Sequence, residues 1–225
     1  MTTEFFDAIK QGDKDEVERR LMLDPILIHA KEAGLSPIMV AAYHHKPEIA
    51  SFLADKTVAI SIFEAAATGK INNIIRLLAR DPLLVSAYAE DGFQPLGLAS
   101  FFGHLDSAEY LVKAGAPINT LSRNEIGAAP IHSAVAGGHH KVVKMLLEHR
   151  ADPNIREQNG YTPLHTAAQN GDEEMIRILL YGGADLLLTS KDGKTALDLA
   201  MTAGHAKATL LLGEGVTKRF IQKRD

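Results

Sequence analysis

The sequence predicts an all-α solenoid of about seven helix pairs bearing short β-hairpin fingers, and three observations predict it. A phrase ending in glycine recurs at a nearly constant step along the chain. An alanine stands four residues before every anchor of that phrase. A leucine stands eight residues after six of the seven anchors. The anchors are Gly12, His45, Gly69, Gly103, Gly138, Gly171 and Gly204, with steps of 33, 24, 34, 35, 33 and 33 residues. The alanines are Ala8, Ala41, Ala65, Ala99, Ala134, Ala167 and Ala200, and the later positions are Arg20, Leu53, Leu77, Leu111, Leu146, Leu179 and Leu212. A period of this kind marks an array whose units cannot bury their apolar faces alone and must stack to do so.

One unit justifies the elements in order. Asn159 and Gly160 supply the positive φ of a tight hairpin turn. Thr162 suits an N-cap and Pro163 the first helical turn, where a missing N–H costs nothing. The first helix places Leu164, Ala167 and Ala168 inward and stops at Gly171, a left-handed C-cap. The second starts near Asp172, whose charge suits a helix N-terminus. Met175, Ile176, Leu179 and Leu180 give it one buried stripe, and Gly182 and Gly183 end it.

The phrase Thr162, Pro163, Leu164, His165 resembles the signature of the ankyrin-repeat family, which implies an ankyrin-repeat solenoid. Weaker forms stand at Ser36-Pro37-Ile38-Met39, Gln94-Pro95-Leu96-Gly97 and Ala129-Pro130-Ile131-His132. The family's Gly-Ala-Asp phrase is matched by Gly183-Ala184-Asp185 and approached by Gly115-Ala116-Pro117 and Arg150-Ala151-Asp152. The phrases Asp24-Pro25-Ile26-Leu27 and Asp81-Pro82-Leu83-Leu84-Val85 are similar in style to bacterial members. Residues 1–215 read as a single array whose first and last units act as caps, and residues 216–225 as a basic C-terminal tail. Two departures matter. The 24-residue step leaves residues 56–60 too short for a full hairpin, so one finger should be missing or stunted there. The 35-residue step should lengthen the hairpin around residues 121–126.

Composition narrows the chemistry. Twenty-four Lys and Arg against 28 Asp and Glu give a net charge of -4, against a dedicated binder of nucleic acid or anionic membrane. No cysteine is present, which removes disulfides, thiolate metal sites and a Cys nucleophile. No apolar run approaches the roughly 20 residues of a membrane helix, and the N-terminal residues have no secretory pattern. Ten histidines invite a metal or catalytic reading. His132 and His165, however, sit where the resemblance implies hydrogen bonds to neighbouring loop backbone. His104, His139 and His205 share one repeat position on stacked helices about 8–10 Å apart, whereas zinc draws its ligands to about 2.0–2.1 Å from one centre. No nucleophile elbow, phosphate loop or dinucleotide glycine motif occurs. Asp172, Glu173 and Glu174 read as a solvated helix start. The tail from Lys218 to Arg224 reads as a solvated terminus.

No catalytic, cofactor-binding or metal-ligating residue is therefore expected, and no enzyme. The resemblance implies a protein-interaction scaffold or adaptor that binds a protein partner on its concave face. Carried over position by position, the partner-binding set is Tyr43, His44, Phe93, Phe101, Phe102, Tyr161, Gln169, Asn170 and Lys194. Five of these are aromatic, the residue type on which interface hot spots draw. The alternative is a regulatory subunit or accessory protein of an enzyme. A monomeric, cytoplasmic protein without nucleic-acid or membrane partners is expected.

Overall fold

The computed structural model describes residues 2–222, with side chains for residues 2–217. The first helices are α1 (Thr2–Gln11), α3 (Pro37–Tyr43), α5 (Ile62–Ala67), α7 (Pro95–Phe101), α9 (Pro130–Ala136), α11 (Pro163–Gln169) and α13 (Ala196–Thr202). Between them run α2 (Lys14–Leu23), α4 (Pro47–Lys56), α6 (Ile71–Arg80), α8 (Leu105–Lys113), α10 (His140–Glu148), α12 (Glu173–Tyr181) and, last, α14 (Ala206–Gln222). The two Asp-Pro phrases form 3-10 turns, Pro25–His29 and Pro82–Ser86, each capped by its aspartate: Asp24 accepts from the Ile26 N–H and Asp81 from the Leu83 N–H. The fold is all-helical.

Packing follows the alanine register. All seven repeat alanines are buried, six of them completely, and each first helix packs on the next in series from α1 to α13. Alanine permits this because a larger side chain would hold the helices apart. Leu53, Leu111, Leu146, Leu179 and Leu212 are wholly buried beneath the second helices, while Leu77 is half-buried with Ile74 and Leu78 taking the deeper places. The second helices α6, α8, α10, α12 and α14 also pack in succession. Between α2 and α4 lies instead a groove of about 390 Å³, lined in part by Leu21, Met22, Ile28, Phe52 and Val58.

In α5, α9 and α11 the position three residues into the first helix joins the units. Ser61 and Glu64 form a reciprocal capping box on α5, and the Ser36 hydroxyl of the previous unit donates to the same Glu64 carboxylate at 2.5 Å. In α9 and α11 an imidazole replaces the carboxylate. His132 Nδ1 accepts from the Ala129 N–H (3.2 Å) and His165 Nδ1 from the Thr162 N–H (3.1 Å). In α13 Asp198 makes the box with Thr195 and reaches no further unit. That is why the last unit has no need of histidine there.

The hairpin fingers differ from expectation: among the described residues there is no strand, only the isolated bridges Glu32–Leu35 and Thr189–Thr195. The fingers are tight turns, such as that closed by the Gly160 N–H on the Glu157 C=O (2.9 Å). Across their own arms the fingers make single backbone hydrogen bonds, such as Glu157 N–H to Tyr161 C=O (3.0 Å) and Ser190 N–H to Lys194 C=O (2.9 Å), and other backbone groups pair with the neighbouring finger, so no ladder develops. The expected long hairpin is a bend organised by Asn124, which accepts from the Ile126 and Gly127 N–H groups and donates to the Asp91 C=O (2.9 Å). Between Lys56 and Ile62 only residues 57–61 connect α4 to α5, and no finger turn forms there. Helix α14 runs through residue 215 to Gln222, and the side chains of the basic tail from Lys218 onward lie outside the described residues.

Ala134 has no exposed surface and sits where α9 meets its neighbours. The variant Ala134→Leu should lose about 1–3 kcal/mol of stability through overpacking, read by urea unfolding. An unchanged midpoint and slope would contradict the register.

Candidate functional site

Three of the nine candidate residues converge. Tyr43 ends α3, Phe101 ends α7, and Phe102 caps it. The Tyr43 ring lies 5.4 Å from that of Phe102 and 6.3 Å from that of Phe101, and the two phenylalanines meet edge-on at 5.0 Å. All three are half-buried. Tyr43 belongs to the second unit and the phenylalanines to the fourth. They meet across the end of α5, which carries only the small residues Ala67 and Thr68. The Tyr43 hydroxyl donates to Asp91 Oδ2 at 2.6 Å, and burial together with that carboxylate pushes the phenol well above its usual range. Asp91 also accepts the Phe93 N–H at 3.1 Å, which ties a fourth candidate to the cluster through its backbone.

The remaining candidates lie apart from it. Tyr161 is half-buried and edge-on to the His165 ring at 5.6 Å. Lys194 is exposed and paired with Asp192 at 3.4 Å. His44, Gln169 and Asn170 are exposed at helix ends. Beside the aromatic cluster a groove of about 510 Å³ runs along the first-helix ends, lined by Phe101, Phe102, Pro47, His45, His104 and His139 among others. Its walls are largely apolar and aromatic. Such a surface can bind by burial and ring contacts; among the described residues no group of three His, Asp or Glu side chains gathers that could hold a metal ion.

The histidines around this surface act on the backbone. His104 Nε2 donates to the Ala67 C=O (2.9 Å), His139 Nε2 to the Phe101 C=O (2.8 Å) and His205 Nε2 to the Gln169 C=O (3.0 Å). Each ring thus satisfies an orphan carbonyl at the end of the previous unit's first helix. His132 and His165 do the same between helix and finger, their Nε2–H groups reaching the Tyr161 C=O (3.1 Å) and the Lys194 C=O (3.0 Å). With Nδ1 accepting and Nε2 donating, each ring is held in one neutral tautomer. Burial lowers the pKa of His104, His132 and His165 below 6.5. Asp91 and the charged pair Lys31 and Glu90 beside the gap do not stand out in the sequence. The Asp91-Gly92 turn signal is there, but nothing in it points to a partner 48 residues upstream.

A sequence profile of ankyrin repeats, in three copies, matches residues 62–157 and 131–220. The chain belongs to the ankyrin-repeat family. It is also similar to transient receptor potential cation channel subfamily A member 1 of Homo sapiens, 36% identical over 98 residues. That stretch covers 42% of this chain and 8% of the human protein, so the chain spans less than a tenth of that relative's length. Ankyrin repeats generally mediate protein–protein interaction. No helix among the described residues of this ankyrin array is long and apolar enough to cross a membrane.

The buried imidazoles predict a pH dependence. As pH falls through 6.5 the unfolded chain takes up protons that the folded His104, His132 and His165 resist, so folding stability is complete above 6.5 and declines below it. The melting temperature should drop by several degrees between about pH 7.5 and pH 5.5. Loss through carboxylates lowered by ion pairs or hydrogen bonds, Glu4, Glu16 and Asp198 among them, belongs to lower pH. The double variant His132→Gln/His165→Gln should melt lower at pH 7.5 yet show a flatter slope. A slope identical to the parent's would contradict the neutral-strut role.

Proposed function

We propose that this ankyrin-repeat chain is a non-enzymatic scaffold or adaptor, an array of seven stacked units that binds a protein partner on its concave face. The observation that carries the reading is the cluster of Tyr43, Phe101 and Phe102. These rings are half-buried and already packed on one another at 5.0–6.3 Å, and the two phenylalanines line a groove of about 510 Å³. Rings fixed in this way lose little conformational freedom when a partner covers them, so contact area converts efficiently into affinity. The exposed ends of the first helices, His44, Gln169 and Asn170, supply a polar rim, with Tyr161 and Lys194 at the turns beyond. The human channel subunit shares too small a part of its length for channel activity to be carried over.

Affinity capture from the native host tests this directly. Replacing Phe93 and Phe102 by Ser should abolish recovery of the partner while the helical signal persists, at a stability cost of about 1–3 kcal/mol for two half-buried rings. Leu at both positions should restore stability without restoring capture. Full capture by the Leu variant would show that these rings only fill space, and the site would then lie elsewhere.

A further inference from the structure

The two ends of the array differ. At the first end the exposed face of α1 is Thr3, Glu4, Asp7 and Gln11, all polar. At the other end, two positions that every earlier unit buries are open. Three residues before each of the first six anchors the side chain is buried, as in Val135 and Ala168. The same holds seven residues before them, as in Ile131 and Leu164. In the last unit these positions are Met201, 59% exposed, and Leu197, half-buried. Helix α14 adds Leu210, 65% exposed, at a position where the three preceding second helices carry Glu109, Lys144 and Arg177. Beside Leu210 a shallow trough of about 490 Å³ runs along Thr209, Gly213 and Thr217. A terminal unit that faces water turns a polar surface outward. Here the last stacking surface is apolar, and among the described residues no helix packs on it.

The charges on this face decide what fits it. Lys207, Leu210, Glu214 and Thr217 are spaced three, four and three residues apart, so they share one face of α14. All four are exposed. Lys207 reaches Glu173 at 3.8 Å and is still 84% exposed. A two-fold axis crossing α14 between Leu210 and Leu211 lays this stripe antiparallel on the stripe of an identical chain. Each Lys207 then faces Glu214 of the other copy, with the Leu210 side chains between the two pairs. Helix α13 runs back alongside α14 from the Gly204 elbow, so the same axis passes near Leu199 and brings each Met201 to Leu197 of the other copy. The α1 end offers no such match: head-to-tail stacking would set Glu4 and Asp7 against Met201 and Leu210, carboxylates against an apolar surface.

We propose that the last unit is a self-association surface, on which a second copy of this chain stacks tail to tail about that axis. Such a contact is isologous and closes at a dimer. It replaces the monomer expected from the sequence and goes beyond the reading of the chain as a scaffold. One particle carries two concave faces, and a partner with two epitopes is held by both. Two helices from each copy make a small interface, so half-association is expected at about 0.1 mM.

The test is sedimentation equilibrium of the full chain from about 0.01 to about 1 mM, a range that brackets the expected affinity. A reversible monomer–dimer equilibrium should be seen. Leu210→Lys sets like charges across the axis and should weaken the dimer about tenfold or more. Lys207→Glu and Glu214→Lys should each weaken it about threefold or more. The double variant Lys207→Glu/Glu214→Lys should return the affinity to within about twofold of the parent's. These side chains are exposed, so the helical signal of every variant should match the parent's. A chain that stays monomeric at the highest concentration, leaving the face to a different protein, would overturn the proposal. So would a mass that grows past the dimer, a dimer indifferent to Leu210→Lys, or a double variant as weak as the single ones.

Discussion

Close approach of consecutive first helices is the constraint on which the rest of the structure depends. Helices of six to ten residues, such as α5 and α1, have no stability of their own in water, so each must borrow a core from its neighbours. The repeat alanines make that possible, and the elbows are built to the same spacing. A Cβ added at Gly103 would lie 2.4 Å from His139 Nδ1, and one at Gly69 2.6 Å from His104 Nδ1. These glycines are fixed twice over, by a positive φ and by the imidazole of the next unit. The imidazoles in turn cap carbonyls that the short helices leave bare. Stacking, elbow and histidine strut are one arrangement repeated.

Much of this is legible in the sequence because it is local and periodic. The anchor spacing places the helices, and Pro37, Pro95, Pro130 and Pro163 mark four first-helix starts correctly. The short step between His45 and Gly69 locates the absent finger. What stays hidden depends on units meeting one another. Asn159-Gly160 reads as a hairpin turn, but whether its arms form a ladder depends on where their backbone groups find partners: one bond, Glu157 N–H to Tyr161 C=O, joins the arms, while the Gln158 N–H and the Asn159 C=O go to adjacent fingers. For the candidate site, the repeat position nominates Tyr43, Phe101 and Phe102, yet spacing cannot tell that three of nine would converge. Convergence depends on how units two and four meet across the end of α5, at Ala67 and Thr68, which is a consequence of long-range packing.

The absent finger is a local omission. Dropping a few residues leaves the first helices continuous through α5, so the core is not interrupted. Side chains bridge what backbone bridges elsewhere: Tyr43 to Asp91, and Lys31 to Glu90. The Lys31–Glu90 bridge is exposed, and such bridges are weak and exchangeable, whereas the Tyr43–Asp91 hydrogen bond is half-buried. The same deletion thus costs little in the core.

The claim that stacking rather than helix length sets stability is tested most directly by amide hydrogen exchange on the whole chain. Helix α5 has six residues and lies inside the array, whereas α14 has 17 and lies at its end. If neighbours provide the stability, the amides hydrogen-bonded within α5 exchange more slowly than those of α14 despite the difference in length. Stronger protection in α14 than in α5 would mean that intrinsic helix stability dominates, and would contradict the governing role of stacking.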